Sequence, residues 1–242
     1  MVPHSRKHTT ILPGKFVRNF GHTLIVAPHA DDESLGCGGL IALLSKYRQP
    51  VHLLLVSDGT LSHPNSKEYP AEKLRDLREY EFKKAAAILG VTGDQLIFTR
   101  YKDRSVPHED SPGFQKAVDN IDGILSQLRP ASIFVPWRRD PHPDHRATWQ
   151  IFNKANRGGA RLYEYPIWLQ QLGDEPDLPT NEEVDVLKID ISPVLEIKQK
   201  AIAAHQSQLT DLISDDPAGF RLSPDMLDQF NVPYEMFFTA KK

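Results

Sequence analysis

Short, almost wholly apolar runs alternate along this chain with longer segments whose apolar residues recur at helical spacing. The runs at residues 23–27, 51–56 and 131–135 are each bounded by turn-forming residues, as strands covered on both faces tend to be. Between them, Leu74, Leu77, Phe82, Ala85, Ile88 and Leu89 mark one amphipathic helix over 71–89, with Gly90 as its cap. Phe114, Val118, Ile121, Ile124, Leu125 and Leu128 mark a second over 114–128, stopped by Pro130. Strand–helix alternation of this kind predicts an α/β fold: a mainly parallel sheet with right-handed crossovers and helices on both faces. Further strands are expected at 95–99, 162–167 and 184–191, and further helices ending near Tyr47 and over 146–156 and 193–205. Residues 1–20 read as an N-terminal arm packed through Ile11, Leu12, Phe16, Val17 and Phe20. Residues 209–242, broken by Pro217, Pro224 and Pro233, read as a C-terminal extension with no clear place in the sheet. A chain of 242 residues without a recognisable linker is expected to form one domain over 1–242.

Two polar clusters follow apolar strands. Pro28-His29-Ala30-Asp31-Asp32-Glu33 comes after the first strand, and Asp140-Pro141-His142-Pro143-Asp144-His145 comes after the strand at 131–135. Ligands in open α/β sheets bind beyond the carboxyl ends of the strands, so both clusters belong to one sheet edge. A catalytic zinc takes three protein ligands and keeps one position for water. His29 and Asp32 sit three residues apart on a tight turn and can face one point, and His145, at the start of the next helix, is the expected third ligand. Asp31 is then left beside the metal to take a proton from the attacking water. His142 is free to steady the tetrahedral oxyanion, and Asp144 can orient a histidine ring. Gly36-Cys37-Gly38-Gly39 reads as a turn before the next helix, its glycines allowing close packing; it lacks both the Walker Lys-Ser/Thr and the dinucleotide fingerprint. The polar, Pro-bearing stretch at 60–70 reads as a mobile rim loop.

Bulk properties narrow the partners. The net charge of −3 gives no general case for nucleic acid or an anionic membrane surface. No run approaches the roughly 20 apolar residues of a membrane span. One cysteine, Cys37, excludes an intrachain disulfide and fits a reducing compartment, so a cytoplasmic protein is expected. A small-molecule substrate is the partner these features favour.

At this point the motifs match a family. Pro28-His29-Ala30-Asp31-Asp32-Glu33 and His142-Pro143-Asp144-His145 resemble the two signatures of the LmbE-like, or PIG-L, de-N-acetylases, with Ala30 where the family usually has Pro. Leu35-Gly36-Cys37-Gly38-Gly39, the Arg78-Glu79-Tyr80-Glu81 helix and His205-Gln206-Ser207-Gln208 extend the resemblance over about residues 22–208. It implies a Rossmann-like single domain with zinc on His29, Asp32 and His145. It also implies Asp31 as general base, His142 as oxyanion stabiliser and Arg78 as a substrate contact. The implied reaction is removal of an N-acetyl group from an N-acetylglucosamine-type conjugate. Another divalent ion such as Fe2+ suits the same ligands. Two competing readings are a non-haem iron oxygenase, disfavoured by the long amphipathic helices, and a non-catalytic sugar- or metal-binding module, disfavoured by the intact Asp31.

Overall fold

The computed structural model describes residues 10–241. In chain order its strands are β1 (Ile11–Leu12), β2 (Thr23–Ala27), β3 (Val51–Ser57), β4 (Leu96–Tyr101), β5 (Ser132–Pro136), β6 (Arg161–Tyr165), β7 (Val184–Asp190) and β8 (Tyr234–Ala240). The helices are α1 (Asp32–Lys46), α2 (Ala71–Ile88), α3 (Phe114–Leu128), α4 (Pro143–Ala155), α5 (Leu169–Leu172), α6 (Leu195–Ile202), α7 (Gln206–Leu209) and α8 (Pro224–Asp228). The strands form one sheet in the order β1-β7-β8-β6-β5-β2-β3-β4. All neighbours run parallel except β8, which is antiparallel to both β6 and β7.

Side-chain alternation along the central strands feeds two cores. Ile25, Ala27, Leu53, Leu55 and Phe134 point to the face covered by α1, α2 and α6. Leu24, Val26, Leu54, Val56, Ile133 and Val135 point to the face covered by α3 and α4. Each such aliphatic side chain, fully buried, contributes about 1.5–3 kcal/mol, which is why continuous apolar runs, not alternating ones, mark these strands. The chain leaves β2 toward β3 and β4 on one side, then returns to β5 and β6 on the other. The switch point therefore lies between β2 and β5, and both polar clusters sit at the carboxyl ends of those two strands.

Three expectations are corrected. The Gly-rich stretch is not a turn: α1 begins at Asp32 and runs through it. A Cβ at Gly38 or Gly39 would press on Lys198 of α6 or on Ile191, at 2.9 and 2.6 Å, so these glycines let α1 lie close to its neighbours. The rim loop is tied down, with Asn65 N–H donating to Asp216 and Ser66 Oγ–H, Lys67 N–H and Glu68 N–H donating to Asp215. Residues 234–240 are not peripheral but form an inner strand, held by a buried Glu235 that accepts from Gly39 N, Leu40 N and Lys198 Nζ at 2.7–2.8 Å. Of the expected arm, residues 1–9 lie outside the described residues; Ile11 and Leu12 pair with β7, and Val17 and Phe20 are buried. Among the described residues, no helix is long and apolar enough to cross a membrane.

Candidate metal and catalytic centre

The turn after β2 is built to present side chains. Asp32 opens α1 and its Oδ2 accepts the His29 backbone N–H at 2.9 Å, which fixes the two residues relative to each other. The turn after β5 works likewise. His142 is the N-cap of α4, with Pro143 in its first turn, and His142 Nδ1 accepts from Asp144 N at 3.2 Å. That bond places the His142 proton on Nε2.

The two turns meet on one point. His29 Nδ1 lies 3.3 Å from Asp32 Oδ2, His145 Nε2 lies 3.1 Å from the same oxygen, and the two nitrogens are 3.4 Å apart. Donors about 2.0–2.2 Å from a tetrahedral metal stand about 3.3–3.6 Å from one another, so the triangle has the size of a ligand set. The far sides of the rings agree. His29 Nε2 faces Asp103 Oδ1 at 3.4 Å and Asp144 Oδ2 at 3.2 Å, and His145 Nδ1 lies 3.2 Å from Asp140 Oδ1, close but off the hydrogen-bond direction. Asp144, hydrogen-bonded to His29 Nε2, keeps a proton there and turns the Nδ1 lone pair toward the shared point; Asp140 favours a proton on His145 Nδ1 through its charge alone. Three buried lone-pair donors so compressed fit a divalent cation. In the metal-free chain, protons take its place. Burial opposes charge on His29, but Asp103, Asp144 and Asp32 hold its pKa well above the usual value. Burial likewise opposes charge on His145, and Asp32 and Asp140 outweigh it, raising the pKa to about 9. Asp32 is held far below the ordinary carboxylate range, against its burial, chiefly by His145.

Asp31 stands beside the triangle and lines the same cavity, of about 230 Å³. Burial lifts its carboxyl pKa to about 7, against the pull of Arg78 and with the push of Asp32. His142 also faces the cavity, one of its ring nitrogens grouping with those of His29 and His145 within 4.8 Å. Burial, reinforced by His145 and His29, keeps it neutral with a pKa of about 3. Asp144 sits behind His29 and also accepts from Arg104 N at 2.7 Å, joining the 101–112 loop to the centre. Arg78 is buried and lines the cavity, but its guanidinium is engaged by Gly59 O at 3.1 Å, Ala30 O at 2.9 Å and the Asp31 carboxylate, Nη2 to Oδ2 at 3.5 Å.

One residue here carries no signal in the local sequence pattern. Asp103, two residues beyond β4, approaches His29 from a loop without a motif. Asp140 is fully buried and accepts from His142 N, Ile167 N and Trp168 N at 3.0–3.2 Å. Its signal was its place in the second cluster, two residues before His142. Trp168, with Leu172, Phe220 and Met226, forms an apolar side of the cavity. Trp137 is buried against Phe238 and donates from Nε1 to Asp177 O. His205 is buried and bonded to Glu33. Glu81 braces the fold by accepting from Ser207 N and Ser207 Oγ.

Comparison with known proteins gives a consistent picture. The chain is 28% identical over 235 residues to a probable N-acetyl-alpha-D-glucosaminyl L-malate deacetylase 2 of Bacillus cereus, covering 91% of this chain and 98% of the relative. It superposes on N,N'-diacetylchitobiose deacetylase from Pyrococcus horikoshii with a TM-score of 0.67 at 22% identity, covering 93% of this chain and 85% of that one. It also superposes on the 4-carboxy-2-hydroxymuconate hydratase of Pseudomonas putida with a TM-score of 0.65 at 16% identity, covering 92% of this chain and 96% of that one. The fold therefore serves more than one reaction, and the chemistry must be argued from the site. The family model for GlcNAc-PI de-N-acetylases matches residues 24–156, which span β2 to the end of α4 and contain both clusters, and the chain belongs to that family, PIG-L.

Proposed function

We propose that this protein is a divalent-metal-dependent amide hydrolase that removes the N-acetyl group from an N-acetylglucosamine-type conjugate, with zinc as the metal. The observation that carries the proposal is a carboxylate, Asp31, paired with Arg78 Nη2 at 3.5 Å and standing beside three converged donors in one cavity. His29, Asp32 and His145 would hold the ion. Its chemistry there is Lewis acidity, which lowers the pKa of a water and polarises the amide carbonyl.

The chain's own groups supply the rest. Asp31 takes a proton from the attacking water as the new C–O bond forms. Protonated by that transfer, it returns the proton to the departing amine as the C–N bond breaks, releasing acetate and the free amino sugar. His142 is neutral, and its Nε2–H is the free donor for the oxyanion, because Nδ1 is occupied by Asp144 N–H. Asp144 and Asp103 keep His29 in the tautomer the ligand role requires. The apolar side at Trp168, Phe220 and Met226 can shelter a sugar ring face or the group attached to it.

The test pairs metal analysis with acetate release from N-acetylglucosaminyl malate, diacetylchitobiose and an inositol-linked N-acetylglucosamine, before and after chelation. About one ion per chain and chelator-sensitive acetate are expected. Asp31→Ala should retain the metal and lose on the order of 10²–10⁴-fold in kcat; an Asp31→Ala enzyme as fast as the wild type would refute the mechanism.

A further inference from the structure

Asp31 has a backbone that its neighbours do not explain. Its φ is 144° with ψ of −31°, a region that L residues rarely occupy. It stands at the N-cap position of α1, yet its side chain makes no capping bond. The usual benefit of an Asp at that position is forgone, and the carboxylate instead lines the cavity with Oδ2 3.5 Å from Arg78 Nη2.

The peptide group that sets this φ is gripped at both ends. The carbonyl of Ala30 accepts from Arg78 Nη2 at 2.9 Å, and the N–H of Asp31 donates to Glu33 Oε2 at 3.1 Å. Carbonyl and N–H of one peptide point in opposite directions, so a cation on one side and an anion on the other resist its rotation. Glu33 is itself fixed. Its Oε1 accepts from Ser34 Oγ at 2.6 Å and from His205 Nε2 at 2.8 Å, the latter brought from 172 residues away in sequence. Glu33 is 0%, His205 1% and Arg78 4% exposed. Buried charges are costly unless paired, and here three are arranged around one backbone unit.

We propose that Arg78, Glu33 and His205 form a clamp on the Ala30–Asp31 peptide and act as positioning residues that aim the Asp31 carboxylate at the reacting water. The proposal rests on the reading of Asp31 as general base. It gives Arg78 a task distinct from substrate contact, and it assigns His205 and Glu33 a part in the reaction although neither lines the cavity.

A double-mutant cycle tests it on the metal-loaded full chain, with kcat, KM, metal content and Tm as readouts. His205→Ala should lower kcat by about 10²-fold, the scale of a displaced catalytic group, with KM and metal content unchanged. In an Asp31→Ala background the same change should cost no further activity, because the base it aims is gone. His205→Gln, whose amide can donate to Glu33, should restore most of kcat. His205→Leu replaces the Ala variant if the latter does not fold. A second readout needs no turnover: Asp31→Gly should melt higher than Asp31→Ala, and removing His205 should shrink that gap as the clamp loosens. Equal loss in both backgrounds, an unchanged kcat, or a gap indifferent to His205 would each overturn the clamp. A wild-type chain that releases no acetate would overturn the deacetylase reading instead, and the Tm gap would then decide the clamp by itself.

Discussion

A single methyl group on α1 provides a demanding test of how this fold is packed. Gly36 lies inside the helix, where alanine is intrinsically better by about 1 kcal/mol. A Cβ at that position would enter the ring of Tyr165 on β6, with Cε2 at 2.8 Å and Ile167 Cδ1 at 3.1 Å. Tyr165 is fully buried, and its hydroxyl donates to Val26 O at 2.5 Å, so it has nowhere to retreat without losing that bond. Overpacking costs about 1–3 kcal/mol, and an orphaned buried polar group about 1–3 kcal/mol more. Set against the helix gain, the net destabilisation of Gly36→Ala is about 3 kcal/mol. For a chain of this size that lowers Tm by roughly 6–12 °C. Gly123 is the control: it is exposed in α3 with nothing within 4 Å of the added Cβ, so Gly123→Ala should raise Tm by about 2–4 °C. Calorimetry on both variants decides the matter, since a Gly36→Ala protein that melts at or above wild type would refute the close-approach argument.

Three other outcomes are expected. Asp140→Ala removes the acceptor of three backbone N–H groups and the carboxylate behind His145; it should cost about 3–5 kcal/mol in denaturant unfolding and about 10–100-fold in metal affinity. Lys198→Met leaves Glu235 buried without its cation and should destabilise by about 3–5 kcal/mol, a loss that adding Glu235→Gln should partly recover; a double variant no more stable than the single one would count against the ion-pair account. In the metal-free protein, Asp32 and Asp140 raise the His145 pKa from 6.5 to about 9, despite burial. The sign follows: this stabilisation is fully present below about pH 6.5 and is lost as pH rises through about 9. Calorimetry should show the metal-free Tm falling over that window while the metal-induced increase in Tm grows, because the ion no longer competes with a proton. A metal-induced increase independent of pH there would refute the protonated triangle.

The legible part of the molecule is the part whose physics is local. Apolar runs locate β2, β3 and β5 because burial on both faces demands them, and helical spacing locates α2 and α3 for the same reason. What escapes is set by distant partners. β8 carries Glu235 in a place that looks unfit for a sheet core, and it becomes tolerable only through Lys198 and the α1 backbone. The glycines of α1 resemble a turn until Tyr165, Lys198 and Ile191 are brought against them. The centre follows the same division. His29, Asp32 and His145, the proposed ligands, could be read from two short motifs; Asp103 had no motif, and the motif that holds His205 gave no sign that it would pair with Glu33 across the fold. One rule would have reached further than the motifs did. Each of the four parallel strands β2, β3, β4 and β5 is followed within four residues by a polar group that takes part: His29, Asp58, Asp103 and Asp140. Asp58 accepts from Asp103 N at 3.1 Å, Asp103 faces His29, and Asp140 lies behind His145. The carboxyl edge of the sheet, taken strand by strand, therefore names Asp103 without any motif, because a parallel sheet delivers all its strand ends to one place.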